Sequence, residues 1–332
     1  MALEKAELIG IARNPVPNGA VCGYLTARDG IELRFARWDT TAERRLGTVC
    51  LFHGRTEFIE KYFETITDLR RRGFAVATMD WRGQGGASRL LKDPSKGHAE
   101  TFAHFDADVA KFMNEIVLPD CPPPFYCLAH SMGGHLILRL AQNRISWWDR
   151  IVLSAPMIQL PGSDMQNALI AAAAEAASIL GFGDLSIPAA KKHDPSAMTF
   201  DGNTLTSDRL RFERAKEAVQ AAPHLGIGAP TFGWVAAACS SMAMLNSEAF
   251  MDGIKVPILI VAAGNDQIVS TPAVERFASR IKNCTRIVLA GSRHEILQER
   301  DQLREQFWAA FDAYIPGSSR LERSSEASEI IH

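Results

Sequence analysis

Three side chains in this 332-residue sequence, Ser131, Asp266 and His294, have the types and the surroundings that nucleophilic attack on a carbonyl requires. Ser131 follows the apolar run Phe125-Tyr126-Cys127-Leu128-Ala129-His130 and precedes Met132-Gly133-Gly134 and the helical pattern Leu136, Ile137, Leu138, Leu140, Ala141. A serine on a tight strand-to-helix turn presents its hydroxyl above the sheet edge, where the free N–H groups of the following helix also point. Small residues two places either side, Ala129 and Gly133, let the backbones of strand and helix pass closely. The strict form of this turn has glycine at the first of these places, so Ala129 is a slight departure.

A serine hydroxyl is a poor nucleophile near neutral pH. It needs a base, and the base needs a third group to hold its tautomer. A strand expected over Ile258 to Val261 runs into Ala262-Ala263-Gly264-Asn265-Asp266, and one over Arg286 to Leu289 runs into Ala290-Gly291-Ser292-Arg293-His294. An aspartate after a strand is commonly a turn or cap residue. Here each of the three residues follows a different strand of one parallel sheet, so all three can meet at its C-terminal edge. His130 must point away from its neighbour on the turn, and His135 lies four residues along the helix. His294-Glu295 imitates the start of a zinc helix, but the second ligand position holds Gln298. Neither a metal nor any other cofactor is expected.

A tetrahedral intermediate needs preorganised donors around its oxyanion. One is the backbone N–H of Met132. The second is expected from the loop His53-Gly54-Arg55-Thr56-Glu57, through the Arg55 backbone N–H rather than its guanidinium, with Gly54 turning the chain back toward the serine. Asp80-Trp81-Arg82-Gly83-Gln84-Gly85-Gly86 imitates half of a dinucleotide fingerprint, but the third glycine position is Ser88 and no helix pattern starts there. Asp80 and Arg82 are expected to brace loops near the site, and His53, Gly54 and Glu57 to support it.

The elements that must position these residues alternate. A hairpin is expected around Asp29-Gly30 within Tyr24 to Phe35. Strands follow at Thr48–Phe52, Phe74–Met79, Phe125–Leu128 and Ile151–Ser154, with helices at Ile59–Arg72, Phe105–Val117 and after Ser131. From about Pro156 to Gly253 the pattern is helical. Alternation then resumes through Val256–Val261, a helix over Pro272–Ile281, Arg286–Leu289 and a final helix Arg300–Tyr314. The fold class is α/β, a mostly parallel sheet covered by helices on both faces. The expected division is a core of residues 1–155 and 254–315, a helical cap at 156–253, and a flexible tail at 316–332.

Net charge is -2 and the isoelectric point about 6.5, so no basic footprint argues for nucleic acid. Six cysteines without a C-x-x-C pair, most in apolar runs, read as buried free thiols of a reducing compartment. The N-terminus alternates charge with small residues and lacks the apolar stretch of a signal peptide, so a cytoplasmic location is expected. The longest apolar run, Ala168 to Leu180, is interrupted by Glu175 and is too short for a span of about 20 residues. It is expected as an interior or lid helix, with contact to a lipid surface as the sharper alternative.

His53-Gly54-Arg55-Thr56-Glu57, Asp80-Trp81-Arg82-Gly83-Gln84-Gly85, Arg89-Leu90-Leu91-Lys92-Asp93-Pro94, Gly97-His98, His130-Ser131-Met132-Gly133-Gly134 and Gly228-Ala229-Pro230-Thr231-Phe232-Gly233-Trp234 resemble the bacterial lysophospholipases related to monoacylglycerol lipases. The resemblance runs from about Tyr24 to Tyr314. It implies an α/β-hydrolase fold, cofactor-free cleavage of acyl esters or lipids, and peripheral contact with the inner membrane through the cap. The order Ser131, Asp266, His294 is that of α/β-hydrolases. Phe200, Phe212, Phe232 and Trp234 could line an acyl channel beneath the cap, or could simply form the cap's own core. A small carboxylesterase or a prolyl aminopeptidase would use the same machinery. An aminopeptidase should also offer carboxylates to the substrate amine, for which Glu57, Asp164 and Glu175 are available. A catalytically silent lipid-binding protein is the reading from another class. Neither oligomeric state nor acyl length is legible.

Overall fold

The computed structural model describes residues 6–142, 147–188 and 196–318. Beyond Ser318, the expected tail lies outside the described residues. One eight-stranded sheet organises the chain, in the order β1-β2-β4-β3-β5-β6-β7-β8. β1 (Val21–Thr26) and β2 (Glu32–Trp38) form the expected hairpin, closed at Gly30, whose φ of +82° suits a residue without Cβ. β2 pairs antiparallel with β4 (Phe74–Met79), and every later pairing is parallel: β3 (Gly47–Phe52), β5 (Phe125–His130), β6 (Arg150–Ser154), β7 (Ile258–Ala263) and β8 (Cys284–Leu289).

The central strands are apolar on both faces because both faces are covered. On β3, Cys50 and Phe52 enter the cluster that holds α2 (Ala103–Phe112), α4 (Met132–Leu140) and α9 (Thr271–Arg280). Val49 and Leu51 enter the opposite cluster, with α1 (Phe63–Arg71) and α10 (Asp301–Tyr314). The period-two alternation of a strand thus assigns each residue its layer. Two helices differ from expectation at their ends. The one expected from Ile59 begins as a 3-10 turn, Ile59–Tyr62, and the one expected to Val117 leaves α geometry in a π turn, Met113–Val117, before α3 (Leu118–Asp120).

Between β6 and β7 lie α5 (Asp164–Ala177), α6 (Arg209–Ala221), α7 (Phe232–Leu245) and α8 (Glu248–Gly253). α5 begins at a capping box of Ser163 and Gln166 and packs along α7. It is not an interior helix. Ala174 is its one buried residue, while Met165, Leu169, Ile179 and Leu180, in α5 and the π turn after it, are 63–78% exposed. Alanine gives helix propensity without committing a face to the core, and α7 covers a single stripe.

Candidate active site

β5 ends at His130, and Ser131 takes φ +51° and ψ −117°, a conformation that non-glycine residues rarely hold. Hydrogen bonds from neighbouring strand ends fix it there: the Ser131 amide donates to Ser154 O (3.0 Å), and the Met157 amide donates to Ser131 O (3.0 Å). His294 Nε2 lies 2.9 Å from Ser131 Oγ, and His294 Nδ1 lies 2.8 Å from Asp266 Oδ2. With Nδ1–H donated to the carboxylate, Nε2 is the free acceptor that the serine proton needs. Asp266 Oδ1 accepts from the amides of Ile268 (2.8 Å) and Val269 (3.0 Å). Burial alone would raise this carboxyl, but the hydrogen bond to His294, its charge and the two amides outweigh burial and hold it below the usual value.

The glycines fix how closely the pieces approach. A Cβ on Gly133 would lie 2.5 Å from His53 O and 2.7 Å from Phe52 O, so α4 starts against the end of β3. A Cβ on Gly54 would lie 3.1 Å from Ser131 Cβ, which brings the loop after β3 beside the hydroxyl. Thr56 in that loop also has positive φ, +64°. The Met132 amide opens α4, and the Arg55 amide follows Gly54. The site offers a serine hydroxyl coupled to an imidazole and a buried carboxylate.

Residues 43–301 match the serine aminopeptidase family S33. The chain is 31% identical over 290 residues to lysophospholipase L2 of Escherichia coli (strain K12), covering 84% of this chain and 82% of that protein. It is 27% identical over 284 residues to a probable lysophospholipase L2 of Haemophilus influenzae, covering 85% and 87%. A soluble variant of monoglyceride lipase from Saccharomyces cerevisiae, solved with a substrate analogue, superposes with a TM-score of 0.70 at 19% identity over 89% of this chain and 95% of that one.

The chain belongs to this family. It is an ester-cleaving α/β-hydrolase of the lysophospholipase-like group. Within this hydrolase the supporting residues divide. His53 Nε2 meets Asp80 Oδ1 (3.1 Å), and Asp80 also holds the Ile59 and Gly86 amides and the Arg34 guanidinium (2.6 Å). Burial would raise the Asp80 carboxyl, yet Arg34 and His53 bring it down to about 2. Arg82, by contrast, braces the hairpin turn and α2 through Asp29 and Asp108 rather than touching the triad loops. Glu57 Oε2 accepts from the Gly54 amide (2.5 Å) and Tyr62 hydroxyl (2.7 Å), and its Oε1 meets Lys61 Nζ (2.9 Å). Lys61 reaches on to Glu295 Oε1 (2.6 Å), next to His294.

Sequence pattern alone does not single out Lys61, Tyr62 and Glu295 as supports. Glu57 and Lys61 stand four apart, a visible signal, but nothing local links them to Glu295. His130 was also underestimated. Its ring lies 4.8 Å from that of His294, Nδ1 lies 3.0 Å from Ser154 O, and burial lowers it to about 4, so it stays neutral beside the catalytic imidazole. His135 is held between Met157 O and Ser241 and is lowered by burial to about 3.

The four aromatics also divide. Phe200 and Phe212 pair edge to face at 5.6 Å, and Arg209 lies over the Phe200 ring, an arrangement of mutual packing. Phe232 lines a cavity of about 720 Å³ between the segments 93–96, 185–188 and 223–229. Trp234 packs against Phe102 and lies 5.0 Å from the Arg55 guanidinium.

Proposed function

We propose that Ser131, His294 and Asp266 hydrolyse a fatty acyl ester of a lysophospholipid or monoacylglycerol through an acyl-enzyme. The observation that carries this reading is the unbroken chain from Ser131 Oγ to His294 to Asp266, at 2.9 and 2.8 Å. Ser131 Oγ attacks the ester carbon while His294 Nε2 takes its proton. The Met132 and Arg55 amides receive the oxyanion, each worth about 3 kcal/mol of barrier. Collapse of the intermediate breaks the bond to the alcohol, which leaves with the proton from His294. Water, activated by the same nitrogen, then attacks the acyl-enzyme and releases the fatty acid. Asp266 keeps Nδ1–H fixed and stabilises the imidazolium in both halves.

The activities named for the relatives favour a lipid ester, and the carboxylates point the same way. Glu57 is occupied by Gly54, Tyr62 and Lys61, while Asp164 and Glu175 lie on the exposed face of α5. One is already paired and the other two lie on an exposed helix face, which disfavours an aminopeptidase. We assign residues 156–253 as a cap, with Phe232 and Trp234 as its contribution to the substrate pocket. Peripheral contact with the inner membrane from the cytoplasm belongs to the same reading, supported by the exposed apolar side chains of α5 and its following turn. Asp164–Phe182 is long and apolar enough to cross a membrane by length and mean hydropathy. Its packing along α7, its Asp164 and Glu175 and a break at Gly181 (φ +86°) favour lying on a lipid surface.

Ser131→Ala should lower turnover up to about a million-fold. Retained wild-type turnover in that variant would refute the assignment. Labelling of Ser131 by a fluorophosphonate, lost in His294→Ala, separates the enzyme from a silent binding protein.

A further inference from the structure

Most buried arginines in this fold meet carboxylates; Arg70, which donates to Asp39 O, is an exception. Arg34 meets Glu60 and Asp80, Arg82 meets Asp29 and Asp108, and Arg304 meets Glu64 and Asp68. Arg55 differs. Among the described residues it forms no ion pair, and its one protein acceptor is Gly228 O, 2.8 Å from Nη2. Its Nε is buried without a hydrogen-bond partner. The guanidinium packs against Gly97, where a Cβ would come within 2.3 Å of Nη2, and its Cζ lies 5.0 Å from the centre of the Trp234 ring. The residue as a whole is half-buried, and among the described residues Nη1 has no protein acceptor. Burial with no opposing carboxylate lowers its pKa to about 10, and it remains a cation at neutral pH.

An uncompensated, partly dehydrated cation is costly for a fold to keep. Holding the segment 223–228 does not require it, because Arg89 already donates to the carbonyls of His224 and Gly226 there. Position supplies a reason. Arg55 follows Gly54, whose Cβ position is 3.1 Å from Ser131 Cβ, so the charge is tethered one residue from the reacting centre. A guanidinium has five N–H donors in a planar fork that matches two phosphate oxygens. In a 1-acyl lysophospholipid, the three-carbon glycerol backbone separates the ester carbon from the phosphorus, a reach comparable with that of an arginine side chain.

We propose that the Arg55 guanidinium is a headgroup site that binds the phosphodiester of a lysophospholipid while its acyl ester lies at Ser131. The inference rests on the ester-hydrolase reading above and sharpens it. A phosphate-bearing substrate is selected over a neutral monoacylglycerol. The amine beyond the phosphate matters less, since a single cation reads the phosphate alone.

The test compares kcat/KM for palmitoyl lysophosphatidylcholine and 1-palmitoylglycerol, presented in the same neutral detergent micelles, in wild type, Arg55→Gln and Arg55→Lys. Both variants keep the backbone N–H at residue 55. Arg55→Gln should lower the ratio of lysophospholipid to monoacylglycerol turnover by about ten- to a hundredfold, mainly through KM, and Arg55→Lys should restore part of it. Equal losses on both substrates would mean a structural role and overturn the assignment. Wild-type cleavage of monoacylglycerol alone would overturn it and leave the ester-hydrolase reading standing, whereas cleavage of neither would remove both. Should Arg55→Gln not fold, wild type alone decides the matter. Monomeric dodecylphosphocholine should inhibit hydrolysis of a short p-nitrophenyl ester competitively, and dodecyl maltoside should not. Equal inhibition by the two detergents, or by inorganic phosphate at the same concentration, would overturn the headgroup assignment.

Discussion

Replacing Lys61 by methionine should destabilise the protein by roughly 3–5 kcal/mol near pH 8, and by clearly less near pH 5. Among the described residues Lys61 is the only cation between Glu57 Oε1 (2.9 Å) and Glu295 Oε1 (2.6 Å), and all three side chains are at least nine-tenths buried. At an effective dielectric near 20 each pair is worth roughly 6 kcal/mol before desolvation. Removing the lysine also recovers its own desolvation cost, so the net loss is the smaller figure for breaking a buried pair. The pH dependence follows from the two carboxyls. Burial would raise Glu57, but Lys61 and the histidines bring it well below its ordinary 4.5. A depressed carboxyl contributes stability above its unfolded value and loses that contribution as pH falls through the folded one. Burial raises Glu295 despite Lys61, so its contribution is full below 4.5 and is lost as pH rises through the folded value. Without Lys61, Glu57 joins Glu295 in the raised class. Acid then relieves the variant by protonating both groups, and the gap to wild type narrows. Urea unfolding followed by tryptophan fluorescence at the two pH values measures the gap. A loss that is equal at both, or under about 1 kcal/mol at pH 8, would refute the reasoning.

Two further variants probe the approach of the elements and the outer surface. Gly133→Ala places a methyl group 2.5 Å from His53 O and 2.7 Å from Phe52 O, backbone atoms that move only if the end of β3 moves. It should cost about 1–3 kcal/mol of stability and depress kcat, read by thermal unfolding and by hydrolysis of a soluble ester. Ile179→Glu with Leu180→Glu replaces two side chains that are 78% and 71% exposed. Turnover on a soluble p-nitrophenyl ester should stay within twofold of wild type while sedimentation with anionic vesicles falls; unchanged sedimentation would count against surface docking through α5.

Strands and triad were legible for the same reason: both are written in short, local patterns. The apolar runs ending at Phe52, His130 and Ala263 are buried except at Phe125, so a continuous hydrophobic segment and the turn after it mark both the strand and the place of the candidate site residue that follows. The hairpin at Asp29-Gly30 was visible from its turn chemistry. What escaped was set by contacts across long stretches of sequence. Lys61 meets Glu295 only because the loops after β3 and β8 converge, and the Arg55 guanidinium is partly covered only because Gly97, Gly228 and Trp234 pack against it. The fate of α5 was ambiguous for a different reason. Its alanines specify a helix and leave open which side is covered, so an exposed surface helix and an interior one have the same sequence pattern.

The positive-φ residues other than glycine explain how the turn at Ser131 is held. Among the described residues they are Thr56, Ser131 and Ala155, in the loops after β3, β5 and β6, three adjacent strands. Each such conformation costs on the order of 1–3 kcal/mol and persists only where its surroundings fix it. Those surroundings are reciprocal: the Ser131 amide donates to Ser154 O, the Ala155 amide donates to Val261 O (2.8 Å), and the Met157 amide returns to Ser131 O. Bending β6 at Ala155 therefore supplies the bond that holds the turn at Ser131, and β7 supplies the bond that holds Ala155. The same β7 continues to the loop of Asp266. The carboxylate that orients His294 and the backbone that strains Ser131 are thus anchored on one strand, which ties the geometry of the base to that of the nucleophile.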